Sequence, residues 1–267
     1  MVRLFSEVTV VERLGAGLFG ASIDESWTIA GKPNGGYLLA IVTRAILDQS
    51  DFSDVVTTSV HYLFSPEAGD AEVRVEQIRS GKSFGHFEGR LFQGGRCALT
   101  VLAIVGNLPR GQSAYWRHDD LDSTIAVIDE CNALPITTPG GFNASIMTQV
   151  EIVMDPSVEI YTHGIPSGSG ELKGWLSLPG NESFDSVSLQ YALDSFPPAT
   201  FEIERTGWVP TLSLTTYVRA LPAPGPLQIL QRANLIQGSM VDETCYVWDV
   251  DHNLVGQATQ LAAIRLG

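Results

Sequence analysis

The sequence predicts an α+β fold made of two similar halves, each with an antiparallel sheet wrapped around a central helix. Three observations predict it: two segments carry apolar residues at helical spacing, alternating segments surround each of them, and the elements follow one order in both halves. With 267 residues and 44% apolar content, the chain is long enough to bury a core in each half. Each half alone would leave a strand edge unpaired, so we expect the two sheets to join edge to edge.

The first central helix is a strongly apolar segment that begins at Asn34. Pro33 favours an extended chain before it, and Asn34 is a good N-cap. Its apolar residues recur at i, i+3 and i+4 spacing: Leu38, Leu39, Val42, Ala45 and Ile46. Gly35 and Gly36 allow another backbone or a ligand to approach the N–H groups at the positive end of this helix. A core helix with a glycine start and no further role is the alternative interpretation.

Strand patterns flank this helix and recur later in the chain. In the first half, alternation predicts strands at 8–13, 18–27, 55–64, 73–78, 84–92 and 97–105. In the second half, it predicts strands at 147–154, 172–178, 211–220, 227–235, 243–248 and 255–264, with a helix at 184–195 that ends before two prolines. Loop-forming residues between the halves predict units at 1–108 and 145–267, joined by a linker at 109–144.

The two halves can be aligned by element order. Residues 60–66 align with 216–222, Gly81 falls near Gly238, and the last strands of the two halves coincide. Identity between the halves is weak, but the shared order indicates a duplicated unit.

Composition narrows the class of partner and the compartment. The chain has 16 basic and 30 acidic residues, a formal charge of -14, and no basic stripe, which argues against nucleic acid or an anionic membrane as partner. Cys97, Cys131 and Cys245 are odd in number and widely spaced, which favours a reducing compartment without disulfides or a zinc site. The start of the chain lacks an apolar signal segment, so we expect a cytoplasmic protein with no membrane partner.

Several ordered motifs point to one family. The strand at 61–64 contains His61, the segment 75–84 ends in Arg-Ser-Gly-Lys-Ser-Phe, and 93–95 is a Gln-Gly-Gly turn. Asn34-Gly35-Gly36 and Ala258-Thr259-Gln260 match further motifs. Together these residues resemble the double-hotdog acyl-CoA thioesterase II family and its thioesterase-like relatives over nearly the whole chain. Several motifs in order are safer evidence than any one of them.

The resemblance implies a function and a binding site. The family hydrolyses acyl thioesters without a metal or redox cofactor, and the acyl chain lies in a tunnel near a central helix while the CoA or acyl-carrier arm reaches solvent. On this basis Asn34, Gly35 and Gly36 would shape the oxyanion or acyl pocket. His61 is either a core residue or part of the pocket wall. Ser83 and Phe84 would belong to a turn or to the tunnel.

The resemblance also implies how water is held, namely by an Asp, a Thr and a Gln from the second half. Ungapped alignment of the last strands places Gln260 at the Gln position and Asn234 at the Thr position. Alignment through the strand near Tyr217 places Ser213 at the Asp position. Serine and asparagine can hold water but cannot act as a carboxylate base.

Asp194 is a candidate for the missing base. It lies late in the predicted second helix, where another group of hotdog thioesterases carries an acid. A helix-end residue satisfied by local hydrogen bonds is the alternative interpretation.

Other functions remain open or are disfavoured at this stage. A protein that binds acyl-CoA or acyl-carrier thioesters without hydrolysing them is the main alternative, because Ser213 and Asn234 replace the expected residues. A hotdog dehydratase would need a helix histidine, which neither predicted helix contains. The segment 81–85 fits Gly-x-Ser-x-Gly, but no helix pattern follows it, which disfavours a serine hydrolase. The sequence leaves open whether the pseudo-dimeric chain forms homo-oligomers.

Overall fold

The computed structural model describes the chain except for residues 1, 111–112, 119–123, 138–140, 142, 205 and 266–267. Its helices are α1 (Phe5–Val8), α2 (Gly35–Asp48), α3 (Glu159–Thr162) and α4 (Ser188–Ala192). Its strands are β1 (Val11–Gly15), β2 (Leu18–Ile23), β3 (Thr28–Ile29), β4 (Lys32–Pro33), β5 (Asp54–Tyr62), β6 (Gly69–Ser80), β7 (Gly85–Gln93), β8 (Arg96–Gly106), β9 (Asn132–Ala133), β10 (Glu151–Met154), β11 (Glu171–Ser177), β12 (Thr211–Val218), β13 (Leu227–Gln237), β14 (Met240–Trp248) and β15 (Leu254–Ala263).

Thirteen of the described strands form one antiparallel sheet. Their order is β1-β2-β6-β7-β8-β5-β12-β15-β14-β13-β11-β10-β9, so the two halves join at β5 and β12. Outward from this junction the strands of one half repeat those of the other: β8 matches β15, β7 matches β14 and β6 matches β13. The double-hotdog fold and the edge-to-edge joining are therefore confirmed.

The strand register agrees with the sequence repeat. At the central junction Ser59 lies opposite Thr215, and their hydroxyl oxygens are 3.3 Å apart. These two residues directly precede the aligned segments 60–66 and 216–222. The alignment between the halves thus describes a twofold relation that passes through this pair.

The first central helix also agrees with the sequence. The Asn34 side chain accepts a hydrogen bond from the Tyr37 N–H at 2.8 Å, as expected for an N-cap. Gly36 to Thr43 are buried, as are Ala45 and Ile46. The helix packs against β5, β6, β7 and β8 of the sheet and against α4, and its start lies near the end of α4.

Several sequence predictions about elements are wrong at their ends, and the strand predicted at 147–154 begins only at Glu151, after a 3₁₀ turn at Ser145–Thr148. The second helix covers Ser188–Ala192 rather than 184–195, because Asp185 accepts hydrogen bonds from the Val187 and Ser188 N–H groups and starts the helix late. The first predicted strand begins at Val11, since α1 occupies Phe5–Val8. The second ends at Ile23, where Asp24 caps a short 3₁₀ turn.

The predicted linker adds structure to the second half. Its described part contains β9, which pairs with β10, and the Leu134 N–H donates to the Ile152 carbonyl at 2.8 Å. Residues 111–112, 119–123, 138–140 and 142 of this segment lie outside the described residues. None of the helices described for the chain has the length and apolar content needed to cross a membrane.

Candidate active site

A cavity of about 350 Å³ lies where α2 begins and α4 ends. Most of its wall is apolar and includes Ile29, Leu38, Phe64, Leu134, Met147 and Phe201. The polar residues that line it include Asn34, Tyr62, Tyr161, Asp194, Thr211 and Gln260. A mostly apolar pocket with few polar groups is typical of a small-molecule site.

Asp194 joins the two helices at this cavity. Its Oδ2 atom accepts a hydrogen bond from the Gly36 N–H at 2.6 Å. Its main-chain carbonyl accepts one from Asn34 Nδ2 at 2.9 Å. The carboxylate therefore lies at the positive end of α2, where the helix dipole favours a negative charge.

Burial nevertheless dominates the acidity of Asp194. Burial, and to a smaller extent the nearby Glu243 charge, raise the pKa of this carboxyl to about 7, although the hydrogen bond from Gly36 acts to lower it. Among the described residues that line the cavity, none is a lysine or arginine that would oppose this rise. A carboxyl group with a pKa near neutrality is suited to act as a general base.

Gln260 faces the cavity from the last strand of the sheet. Its Nε2 atom donates to Glu243 Oε2 at 2.5 Å, and the Thr211 hydroxyl donates to its Oε1 atom at 3.4 Å. Glu243 is itself buried and also accepts from Gln231 Nε2 at 2.8 Å. Because the amide N–H₂ side is held by Glu243, the carbonyl oxygen of Gln260 is left to accept hydrogen bonds on the Thr211 side.

The two glycines at the start of α2 are needed for different reasons. A Cβ atom at Gly36 would lie 2.9 Å from the Gln190 carbonyl and 3.0 Å from Tyr191 Cα, so this glycine permits helix packing. A Cβ atom at Gly35 would lie 2.9 Å from Asp194 Oδ2 and 3.1 Å from the Tyr62 hydroxyl, so this glycine keeps the site open. The contacts of Gly36 agree with the core-helix interpretation, and the role of Gly35 in a ligand pocket stays a prediction.

The N–H groups of the first turn are divided between structure and cavity. The Gly36 N–H donates to Asp194 and the Tyr37 N–H donates to Asn34. Gly35 lines the cavity, and within the described residues its N–H donates to neither of these side chains. The Gly35 N–H is therefore not used by either of these two contacts at the cavity wall.

The structure separates five other sequence-predicted residues from this cavity. His61 and Ser213 lie opposite each other on the outer face of the sheet, because alternate residues of a strand point to opposite faces. Ser83 and Phe84 lie exposed at the turn between β6 and β7. Asn234 is exposed and its Nδ2 donates to Asp242 at 3.2 Å. Among the described residues, none of these five lines the cavity.

Two β-bulges explain why the alignment chose Ser213 and Asn234. The register of β12 shifts between Thr211 and Ser213, and that of β13 shifts between Ala233 and Leu235. An ungapped alignment does not account for the extra residue that each bulge inserts. Their predicted catalytic roles have no geometric support from the cavity.

Sequence reasoning missed Thr211, Tyr62 and Glu243. Tyr62 follows His61 in the same motif, so strand alternation alone could have placed it on the inner face. Glu243 lies between the buried Val241 and Cys245 at spacing of two, which marks an acidic residue on an apolar face. For Thr211, the shift in strand register between Thr211 and Ser213 interrupts the alternation that would have placed it on the inner face.

Comparison with known proteins identifies the family and the fold of the chain. A family model described as the acyl-CoA thioesterase N-terminal domain matches residues 23–106, and one described as the C-terminal domain matches residues 128–264. A candidate thioesterase II from Thermobifida fusca superposes with a TM-score of 0.89 at 26% identity, over 100% of this chain and 98% of that chain. An acyl-CoA thioesterase II from Mycobacterium marinum has a TM-score of 0.73 at 16% identity, over 98% of each chain, which shows a shared fold.

Two relatives extend the comparison at the level of sequence. An uncharacterized protein of Mycobacterium tuberculosis is 26% identical over 92% of this chain and 91% of its own length. The thioesterase-like protein TwmA of Talaromyces wortmannii is 23% identical over 98% of this chain and 92% of its own length. Since the two family models together match well over half of the residues, in the order of the two halves, the chain belongs to the acyl-CoA thioesterase family.

Proposed function

We propose that this protein hydrolyses acyl-CoA thioesters to a carboxylic acid and free CoA, with Asp194 as the general base. The observation that carries the proposal is the partly buried Asp194 carboxyl at the start of α2, in an apolar cavity that Gln260 also lines. Asp194, Thr211 and Gln260 offer the three residue types that the family resemblance implies for holding water. Asp194 thus supplies the carboxylate that Ser213 cannot.

In the proposed reaction, a water molecule lies between the free Asp194 oxygen and Gln260 Oε1. Asp194 takes one proton from this water as its oxygen bonds to the thioester carbon. The carbonyl oxygen becomes negative and is stabilised by the Gly35 N–H at the positive end of α2. The C–S bond then breaks, and the leaving thiolate receives the proton from Asp194, which restores the carboxylate.

The apolar wall favours an acyl group without charge. Leu38, Met147 and Phe201 offer contacts to a hydrocarbon or aromatic tail, while the polar residues cluster at the helix junction. The thioester carbon would lie at this junction, and the acyl tail would extend along the apolar part of the cavity.

The test is thiol release from acyl-CoAs of graded chain length by the purified chain, followed with a chromogenic thiol reagent. Gln260→Ala should lower kcat/KM by about 100-fold, since the water loses one of its two partners. Gln257→Ala is the matched control, because Gln257 lies on the same strand but faces outward, where it accepts from Arg219. We expect it to keep kcat/KM within about twofold.

The alternative function is binding without hydrolysis. Acyl-CoA binding by calorimetry without thiol release between pH 6 and 9 would favour that alternative and overturn the proposal. Equal losses in Gln260→Ala and Gln257→Ala would remove Gln260 from the site while leaving hydrolysis standing.

A further inference from the structure

Tyr62 ends β5 and lines the cavity beside the start of α2. Its hydroxyl is buried and has no hydrogen-bond partner within the described part of the chain. A buried hydroxyl that makes no hydrogen bond costs free energy, commonly about 1–3 kcal/mol. Such a group at a cavity wall indicates that a ligand supplies the missing partner.

The distance between this hydroxyl and the Gly35 nitrogen has an upper limit. It lies 3.1 Å from the point that a Cβ atom on Gly35 would occupy. Since the N and Cβ atoms of one residue are ~2.5 Å apart, the Tyr62 hydroxyl oxygen lies within about 5.6 Å of the Gly35 nitrogen. One oxygen that accepts two hydrogen bonds of about 2.9 Å can bridge donors up to about 5.8 Å apart. A single carbonyl oxygen can therefore reach both donors.

We propose that the Tyr62 O–H and the Gly35 N–H together form the oxyanion hole, which makes Tyr62 a catalytic residue. This inference rests on the proposed thioester hydrolysis and adds a donor to it. Both hydrogen bonds strengthen as the carbonyl oxygen gains charge during attack by water. Tyr62 forms no covalent bond and keeps its proton throughout, so the proton transfers through Asp194 are unchanged.

The surroundings of Tyr62 favour a donor rather than an acid. Burial and the Asp194 charge both raise the pKa of the Tyr62 hydroxyl well above its usual range, so the O–H proton is retained over the working pH range. Asp194 Oδ2 lies 2.9 Å from the same Cβ point on Gly35. Attack by water moves negative charge from Asp194 to the carbonyl oxygen, and the two donors then stabilise that oxygen.

The test compares Tyr62→Phe with Tyr191→Phe. Tyr191 also has a buried hydroxyl without a partner in the described residues, but it packs between Phe5 and Trp27 and is not part of the cavity wall. Each change deletes one buried hydroxyl and keeps the ring. We expect Tyr62→Phe to lower kcat by about 100-fold with KM within about threefold, and Tyr191→Phe to keep both within about twofold.

A second measurement reports on the carbonyl directly. The probe is a ketone analogue of acyl-CoA in which a methylene group replaces the thioester sulfur. Its bound carbonyl stretch should move to higher frequency in Tyr62→Phe than in the unmodified protein, because one hydrogen bond is lost. The stretch should be unchanged in Tyr191→Phe.

The outcomes separate the two proposals. Tyr62→Phe with kcat within threefold, or with an unchanged carbonyl frequency, overturns the role of Tyr62 while hydrolysis stands. If the unmodified protein releases no thiol but the ketone frequency still depends on Tyr62, the hydrolytic function fails and the contact between Tyr62 and the carbonyl is upheld. Absence of both hydrolysis and ketone binding overturns both proposals.

Discussion

Helices α2 and α4 contact each other at two junctions. The start of α2 lies near Asp194 at the end of α4, and Asp185 at the start of α4 lies near Arg44 in the later part of α2. Before each helix a side chain accepts a hydrogen bond from the N–H three residues on: Asn34, which is the N-cap of α2, and Asp185, which lies two residues before the N-cap of α4. At the start of α4 the carboxylate is that of Asp185 itself, is half-exposed, and pairs with Arg44 at 3.2 Å. At the start of α2 the cap is a neutral amide, and the carboxylate is Asp194 of the other helix.

The two junctions differ in whether a cation balances the charge of the carboxylate. Arg44 balances Asp185 in contact with solvent, whereas no cation among the described residues lines the cavity beside Asp194. A buried carboxylate without a counter-ion holds its proton more tightly. One junction is therefore a salt-bridged helix contact, and the other is suited to proton transfer. Each prediction below tests one part of this contrast.

The largest effect is expected for the two carboxylates themselves. Asp194→Asn should lower kcat/KM for acyl-CoA hydrolysis by about 1000-fold or more, because the amide cannot accept the proton from water. Asp185→Asn is the matched change at the other junction and should keep kcat/KM within about twofold. Steady-state thiol release at pH 8 measures both, and similar losses in the two variants would contradict the assignment of the base.

The pH dependence of activity follows from the same carboxyl group. Because the base must be deprotonated, kcat/KM should rise with pH through a midpoint near 7, the pKa to which burial raises Asp194. A midpoint near 4, the usual value for an aspartate, would contradict a buried base.

Stability should depend on pH in the opposite sense. The pKa of Asp194 is higher in the folded than in the unfolded state, so the stability it contributes is fully present below about pH 4 and is lost as pH rises through about 7. Asp194→Asn removes this loss. Relative to the unmodified protein, its free energy of unfolding should therefore increase between pH 4 and pH 8, by up to about 4 kcal/mol. Urea unfolding of both proteins at the two pH values measures this, and a constant difference would show that the carboxyl group is not buried.

The sequence determined the first half of the site better than the second. The cap at Asn34 and the close approach at Gly35 and Gly36 follow from local patterns of a few residues, whereas Gln260 follows from the family resemblance. The contact between Gly36 and Asp194 spans 158 residues, and no local pattern specifies it. Resemblance to another hotdog thioesterase group points to Asp194, but its partner at the start of α2 is visible only in the three-dimensional structure.

Irregular strands limited the remaining predictions. The shift between Thr211 and Ser213 transfers the inward position to Thr211, which an ungapped alignment cannot detect. The family motif points to His61, yet the residue of that motif that lines the cavity is Tyr62. The alternation of residues along the strand therefore predicts which residue faces the cavity better than the type of residue does.

Gly36 tests the close packing that brings the two helices together. An alanine Cβ would lie 2.8 Å from Asp194 Cβ and 2.9 Å from the Gln190 carbonyl, so one helix must shift. We expect Gly36→Ala to cost about 1–3 kcal/mol in the free energy of unfolding. Val187→Ala is the comparison at the other junction, where Ser186 and Val187 follow Asp185 and their side chains are accommodated. This change should leave a small cavity rather than a clash. Crystal structures of both variants measure the shift of the helices, and equal shifts would contradict the close packing proposed at Gly36.

The smallest effect concerns Glu243, which lies behind the site at Asp194 and has no counterpart in the salt-bridged junction. Glu243→Gln removes a charge that raises the pKa of Asp194, so the midpoint of the pH profile should move to lower pH. It also replaces one oxygen of the carboxylate that holds Gln231 and Gln260 by an N–H₂ group and removes the charge that strengthens these hydrogen bonds, so kcat should fall by about tenfold, or ~1.4 kcal/mol. Asp242→Asn, the neighbouring change on the outer face of β14, should alter neither quantity, because Asp242 contacts Asn234 and not the cavity. A pH profile that is the same in Glu243→Gln and Asp242→Asn would show that Asp194 is tuned by burial alone, without the second carboxylate.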